Sequence, residues 1–64
     1  MNLGEKLKSI RLDKAIMLID AAKKLDISPS TLAGYESGYR TPNVEMLKKL
    51  AKLYKVTVDF ILKD

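Results

Sequence analysis

Ala22-Lys23-Lys24-Leu25-Asp26-Ile27-Ser28-Pro29-Ser30-Thr31-Leu32-Ala33-Gly34-Tyr35 is the stretch on which the fold turns. Ala22 is small, as needed where two helices cross closely. Leu25 follows three residues later on the same face, then a turn residue, Asp26, and apolar Ile27. Aspartate tolerates the left-handed region better than most residues, so a tight turn is expected there. Ser28-Pro29 starts a second helix: the serine hydroxyl can accept a first-turn N–H, and proline suits the first helical position. Leu32 and Tyr35 fall on core-facing positions, and Gly38 after Ser37 is a good stop. The stretch reads as two short helices, 17–25 and 29–36, joined by a tight turn.

Working outward, Leu3, Leu7 and Ile10 share one face at i, i+4 and i+7, with Asn2 available as N-cap, which predicts a helix over 3–13. Downstream, Tyr39 to Pro42 is loop. Asn43 is a second credible cap, and Val44, Leu47, Leu50, Ala51 and Tyr54 form an apolar face for a helix over 44–54. Thr57 caps a last short helix, 58–62, with Phe60 and Ile61 facing inward. There is no repeat, linker or low-complexity tract, and no strand pattern. The expectation is all-α: five short helices with tight connections, residues 1–64 forming a single domain.

The 64 residues suffice for one compact domain, and 47% of them are hydrophobic, so a core can be built. With no cysteine there is no disulfide framework and no thiolate metal site. With no histidine, the commonest general base and metal ligand is missing. No carboxylates or lysines are spaced as a catalytic pair, so no enzyme, metal or cofactor is expected. The net charge of +4 favours nucleic acid or anionic membranes as partners. The longest apolar run, Ala15-Ile16-Met17-Leu18-Ile19, falls far short of the ~20 residues that span a bilayer. No signal peptide is visible, and the expected compartment is the cytoplasm.

The run Tyr35-Glu36-Ser37-Gly38-Tyr39-Arg40-Thr41-Pro42 resembles the "YE.G.R.P" signature of Cro/phage-repressor (XRE family) helix-turn-helix domains. The ending from Leu47 to Leu62 is similar to that family's fourth and fifth helices, so the resemblance covers nearly the whole chain. Gly38 to Pro42 and the Leu53-Tyr54 pair look most like immunity repressors of phages and mobile elements. The resemblance implies a compact five-helix lambda-repressor-like fold. It also implies sequence-specific binding of duplex DNA as a transcriptional regulator, a repressor, working as a homodimer on its operator. The helix over 29–36 would be the recognition helix in the major groove. Ser28, Pro29, Ser30, Thr31 and Gly34 would then face DNA, with Ala33 between them. Tyr39, Arg40, Thr41 and Asn43 would meet the phosphate backbone, helped by the free N–H groups of the helix that Asn43 starts. A buried ion pair between Arg11 and Glu36 is implied as well, and the residues agree: each follows a core-facing neighbour, Ile10 and Tyr35. The pair would fix how the recognition helix sits on the first helix.

Several positions depart from the family pattern. Where relatives begin the second helix with Ser or Thr followed by a phosphate-holding Gln, this chain has Met17 and Leu18. Ala15 stands where relatives often have a helix-ending glycine, so a different turn, or partial fusion of the first two helices, is expected. Successive helical residues are 100° apart, so Met17, Leu18 and Ile19 cannot all be buried if Ile16 and Ala22 face the core. With Leu12 they form an expected exposed apolar patch, the kind of surface that marks a partner site. Two functions therefore stay open: a DNA-binding regulator, or a helix-turn-helix scaffold that binds a protein or a second copy through Leu12, Met17, Leu18 and Ile19. For a homodimer, that patch and the last helix (Phe60, Ile61, Leu62) are the two candidate interfaces.

Overall fold

The structure, a computed structural model, describes residues 1–63. Four of the five helices begin where the sequence supplies a cap. Asn2 opens α1 (Leu3–Asp13) with a reciprocal box, its side chain accepting the Glu5 N–H while the Glu5 carboxylate accepts the Asn2 N–H. Ser28 caps α3 (Pro29–Ser37), Asn43 caps α4 (Val44–Tyr54) and Thr57 caps α5 (Val58–Leu62), each accepting the N–H three residues on. Only α2 (Leu18–Leu25) starts without a side-chain cap, because Met17 has no acceptor to offer. Thus α2 begins one residue later than the expected 17–25, and α3 runs one residue beyond 29–36. No strand occurs among the described residues.

Three helix ends share one device. Ala15, Asp26 and Lys55 all take the left-handed conformation, with φ of 57°, 60° and 57°. At each, the following N–H reaches back to close the helix: Ile16 to the Arg11 carbonyl, Ile27 to Ala22, and Val56 to Ala51. The residue after each left-handed position is a half-buried Ile or Val packed on the core, which is the hydrophobic contact that accompanies this ending. The expectation that Ala15 would force another turn or fuse α1 to α2 is corrected. Burial of Ile16 offsets the ~1–2 kcal/mol that a Cβ costs in this region.

The core collects Leu7, Ile10, Ala21, Ala22, Leu25, Leu32, Leu47, Leu50, Ala51, Tyr54 and Ile61 from all five helices. α3 packs on α1 and α2, and α4 packs on α2 and α5. Two expected core positions are corrected. Val44, in the first turn of α4, projects past the packed face and is exposed. Phe60 is 48% exposed because α5 is a single turn and a half, and Ile61 takes its inward direction. Its ring instead lies under the Lys6 ammonium, 4.3 Å from the centroid, and Lys6 also donates to the Lys63 carbonyl at 3.2 Å. α5 is thereby tied to α1.

Candidate nucleic-acid interface

The orientation of α3 is set from behind by charge. Arg11 on α1 donates from Nε to Glu36 Oε2 at 2.7 Å and from Nη2 to Oε1 at 3.1 Å, a two-pronged contact between side chains only 9% and 7% exposed. A third donor, Nη1, reaches the Ile16 carbonyl at 2.8 Å. One guanidinium therefore joins α1, the turn before α2 and the end of α3. The hydrogen bond to Glu36, reinforced by its charge and opposed by burial, holds the Arg11 pKa above its ordinary value. Tyr54 lies in the same region. Burial first, then the Glu36 charge, pushes its phenol up to about 12, and its buried hydroxyl has no hydrogen-bond partner.

Gly4 completes this seating and was not singled out from the sequence. A Cβ there would come within 2.5 Å of the Glu36 carbonyl oxygen and 2.7 Å of that of Tyr35. α1 thus approaches the end of α3 as closely as backbone permits. The available signal was a glycine inside the first turn of a well-capped helix, where its low propensity demands a reason.

The outward face of α3 carries Pro29, Ser30 and Ala33, all exposed, with Ser28 just before it. The Ser28 hydroxyl accepts the Thr31 N–H at 3.1 Å and lies 2.9 Å from Thr31 Oγ1, so these two hydroxyls are engaged with each other. Gly34 is buried, which corrects the expectation that it faces outward as a bare position. The Arg40 side chain lies across it, with Cδ 3.1 Å from where a Cβ would stand. Tyr39, Arg40, Thr41 and Asn43 form an exposed run beside this face. Tyr39 is 84% exposed. Asn43 spends its side-chain oxygen on the Met46 N–H at 2.8 Å. The earlier first-turn N–H groups of α4 have no partners within the helix, as at any helix start.

Of the expected apolar patch, Leu12, Met17 and Ile19 are exposed. Leu18 is not: it is half-buried and packs against the core, a correction to its placement in that patch. Because α2 starts at Leu18, that side chain hangs from the first turn over the edge of the core near Ala33 and Ser37. Among the described residues, no group of acidic or sulfur side chains is placed to hold a metal ion.

This architecture has known counterparts. The family described as Helix-turn-helix matches residues 7–61. The HTH-type transcriptional regulator ImmR of Bacillus subtilis (strain 168) is 40% identical over 62 residues, covering 97% of this chain and 49% of that protein. AnsR, an HTH-type transcriptional regulator of the same organism, is 47% identical over 62 residues, covering 97% and 53%. The chain spans about half the length of these curated relatives. Among solved structures, the P22 c2 repressor in complex with synthetic operator 9T aligns with a TM-score of 0.90 at 25% identity, covering 98% of this chain and 96% of that one. The clp gene regulator ClgR from C. glutamicum aligns at 0.87 and 29% identity, covering 92% and 77%. With its helix pair α2–α3, the Arg11–Glu36 pair behind it and a family match over most of its length, the chain belongs to the helix-turn-helix family of Cro/phage-repressor type.

Proposed function

We propose that this chain is the sequence-specific duplex DNA-binding part of a transcriptional regulator, a repressor, and not an enzyme. The observation that carries the reading is the likeness, along nearly the whole chain, to the P22 c2 repressor solved on an operator. In this reading α3 enters the major groove with Ser28, Pro29, Ser30 and Thr31 leading. Tyr39, Thr41 and the start of α4 at Asn43 approach the phosphates, and Arg40 brings positive charge beside them. Two copies bind together, because one copy offers a single recognition helix and so reads one half-site. The working compartment is the cytoplasm, where the DNA is; no helix among the described residues is long and apolar enough to cross a membrane.

The alternative, a scaffold binding a protein through the start of α2, loses half-buried Leu18, packed against the core, and keeps the exposed Leu12, Met17 and Ile19. Fluorescence anisotropy of a labelled generic duplex across a salt series separates the two. Counterion release gives a log–log slope of about −0.9 per phosphate contacted, so a slope of about −2 or steeper is expected from each copy. Absence of binding at low salt would retire the DNA reading.

A further inference from the structure

We propose that Arg40, seated in a notch made by Gly34, is the side chain with which this protein reads a guanine in the major groove. The proposal rests on the DNA-binding reading and adds the base and the reader. α3 itself is poorly equipped for the task. Its outward positions Pro29, Ser30, Thr31, Ala33 and Ser37 include no amide, amine or guanidinium. Ser28 and Thr31 are bonded to each other, and the Ser37 hydroxyl donates to the Gly34 carbonyl at 3.2 Å. Of these hydroxyls, only that of Ser30 has no partner among the described residues, and serine discriminates poorly between bases.

Ser30, Ala33, Gly34 and Ser37 recur at i, i+3, i+4 and i+7 and so share one face of α3. Ser30, Ala33 and Ser37 are exposed there, while Gly34 is covered. What covers it is Arg40, whose Cδ, Cγ and Nε stand 3.1, 3.3 and 3.6 Å from the position of a Gly34 Cβ. The Arg40 N–H also donates to the Gly34 carbonyl at 3.1 Å, which pins the loop against the helix. The stem of Arg40 therefore lies along the face that α3 presents. Arg40 is exposed, and the only ion pair among the described residues is Arg11–Glu36, so none of their carboxylates holds its guanidinium. A free guanidinium fork on a recognition face matches the O6 and N7 acceptors of guanine. A Cβ at position 34 would crowd that stem at 3.1 Å and make it give by a few tenths of an ångström.

The test starts by selecting duplexes from a random pool with the wild-type chain. Each guanine of the selected site is then replaced in turn by 7-deazaguanine, which removes N7 and leaves pairing and phosphates intact. One replacement in each half-site is expected to weaken wild-type binding about 5-fold, the lower end for a bidentate arginine–guanine contact, because O6 stays in place. The same replacement should leave Arg40→Ala binding unchanged. Gly34→Ala, whose Cβ makes the stem give by only a few tenths of an ångström, should keep the coupling to that guanine at a reduced fold-change and melt no lower than wild type, since alanine is the better helix former and the displaced group is a flexible stem. If Arg40→Ala weakens every duplex alike and no guanine is coupled to it, Arg40 is a phosphate contact and the inference is overturned alone. If the wild-type chain selects no sequence at all, the DNA-binding reading falls with it.

Discussion

Replacing Arg11 with methionine removes the cation and leaves most of the packed volume in place. Glu36 is then left at 7% side-chain exposure with both guanidinium contacts gone, and the Ile16 carbonyl loses a donor at 2.8 Å. Breaking one side of such a buried pair costs about 3–5 kcal/mol. A chain of this size commands only about 3–10 kcal/mol in total at 0.05–0.15 kcal/mol per residue. Arg11→Met should therefore lower the melting temperature by at least about 12 °C, taking about 4 °C per kcal/mol. Urea unfolding followed by helical circular dichroism gives the free energy directly. The double variant Arg11→Met/Glu36→Leu removes the stranded charge as well, and should recover all but ~1 kcal/mol, the residue owed to the Ile16 carbonyl. Because the pair is buried, molar salt should leave the loss in Arg11→Met nearly unchanged. A single-variant loss under about 1 kcal/mol, or a double variant no better than the single, would refute the assignment of this pair as the buried link between α1 and α3.

Gly4→Ala should destabilise by about 1–3 kcal/mol despite its better propensity, since the new Cβ meets backbone oxygens at 2.5 and 2.7 Å that cannot swing aside; unchanged urea unfolding would contradict the close approach. Ala15→Gly should stabilise by up to about 1 kcal/mol, because φ of 57° strains a Cβ and the methyl is exposed; a lower melting temperature would count against the left-handed ending. Tyr54→Phe should be neutral or stabilising at neutral pH, as it deletes a buried hydroxyl without a partner. The folded phenol is held at about 12 against an ordinary 10.0, so its contribution is complete below pH 10 and drains away as pH rises towards 12. The loss should reach about 1–3 kcal/mol in wild type and be missing from Tyr54→Phe; parallel stability profiles for the two proteins would contradict it.

The helix starts were legible because they are local. Asn2, Ser28, Asn43 and Thr57 each cap within three residues of themselves, so chemistry and spacing sufficed. The endings were less so. Asp26 and Gly38 announce a left-handed residue by type, whereas Ala15 and Lys55 adopt it only because Ile16 and Val56 must turn back onto the core. Inward and outward faces blurred at element ends: Val44, Leu18 and Phe60 sit in first turns or on a short helix, where the crossing of neighbouring helices, not periodicity, decides burial. In the candidate interface, the chain order exposes Ser28 to Thr31 and Tyr39 to Asn43 as two neighbouring segments. It gives no sign that Arg40 folds back over Gly34, a contact across six residues that depends on the path of the loop.

The most direct test of the central claim is a map of backbone amide shifts in the isotope-labelled chain as a duplex carrying a selected site is added at low salt. Shifts concentrated at Ser28 to Ala33 and Tyr39 to Asn43, fading as salt rises, are the expected result. A spectrum unmoved by the duplex at low salt, or moved only around Leu12 to Ile19, would contradict the assignment of α3 and its following loop as the DNA-reading surface.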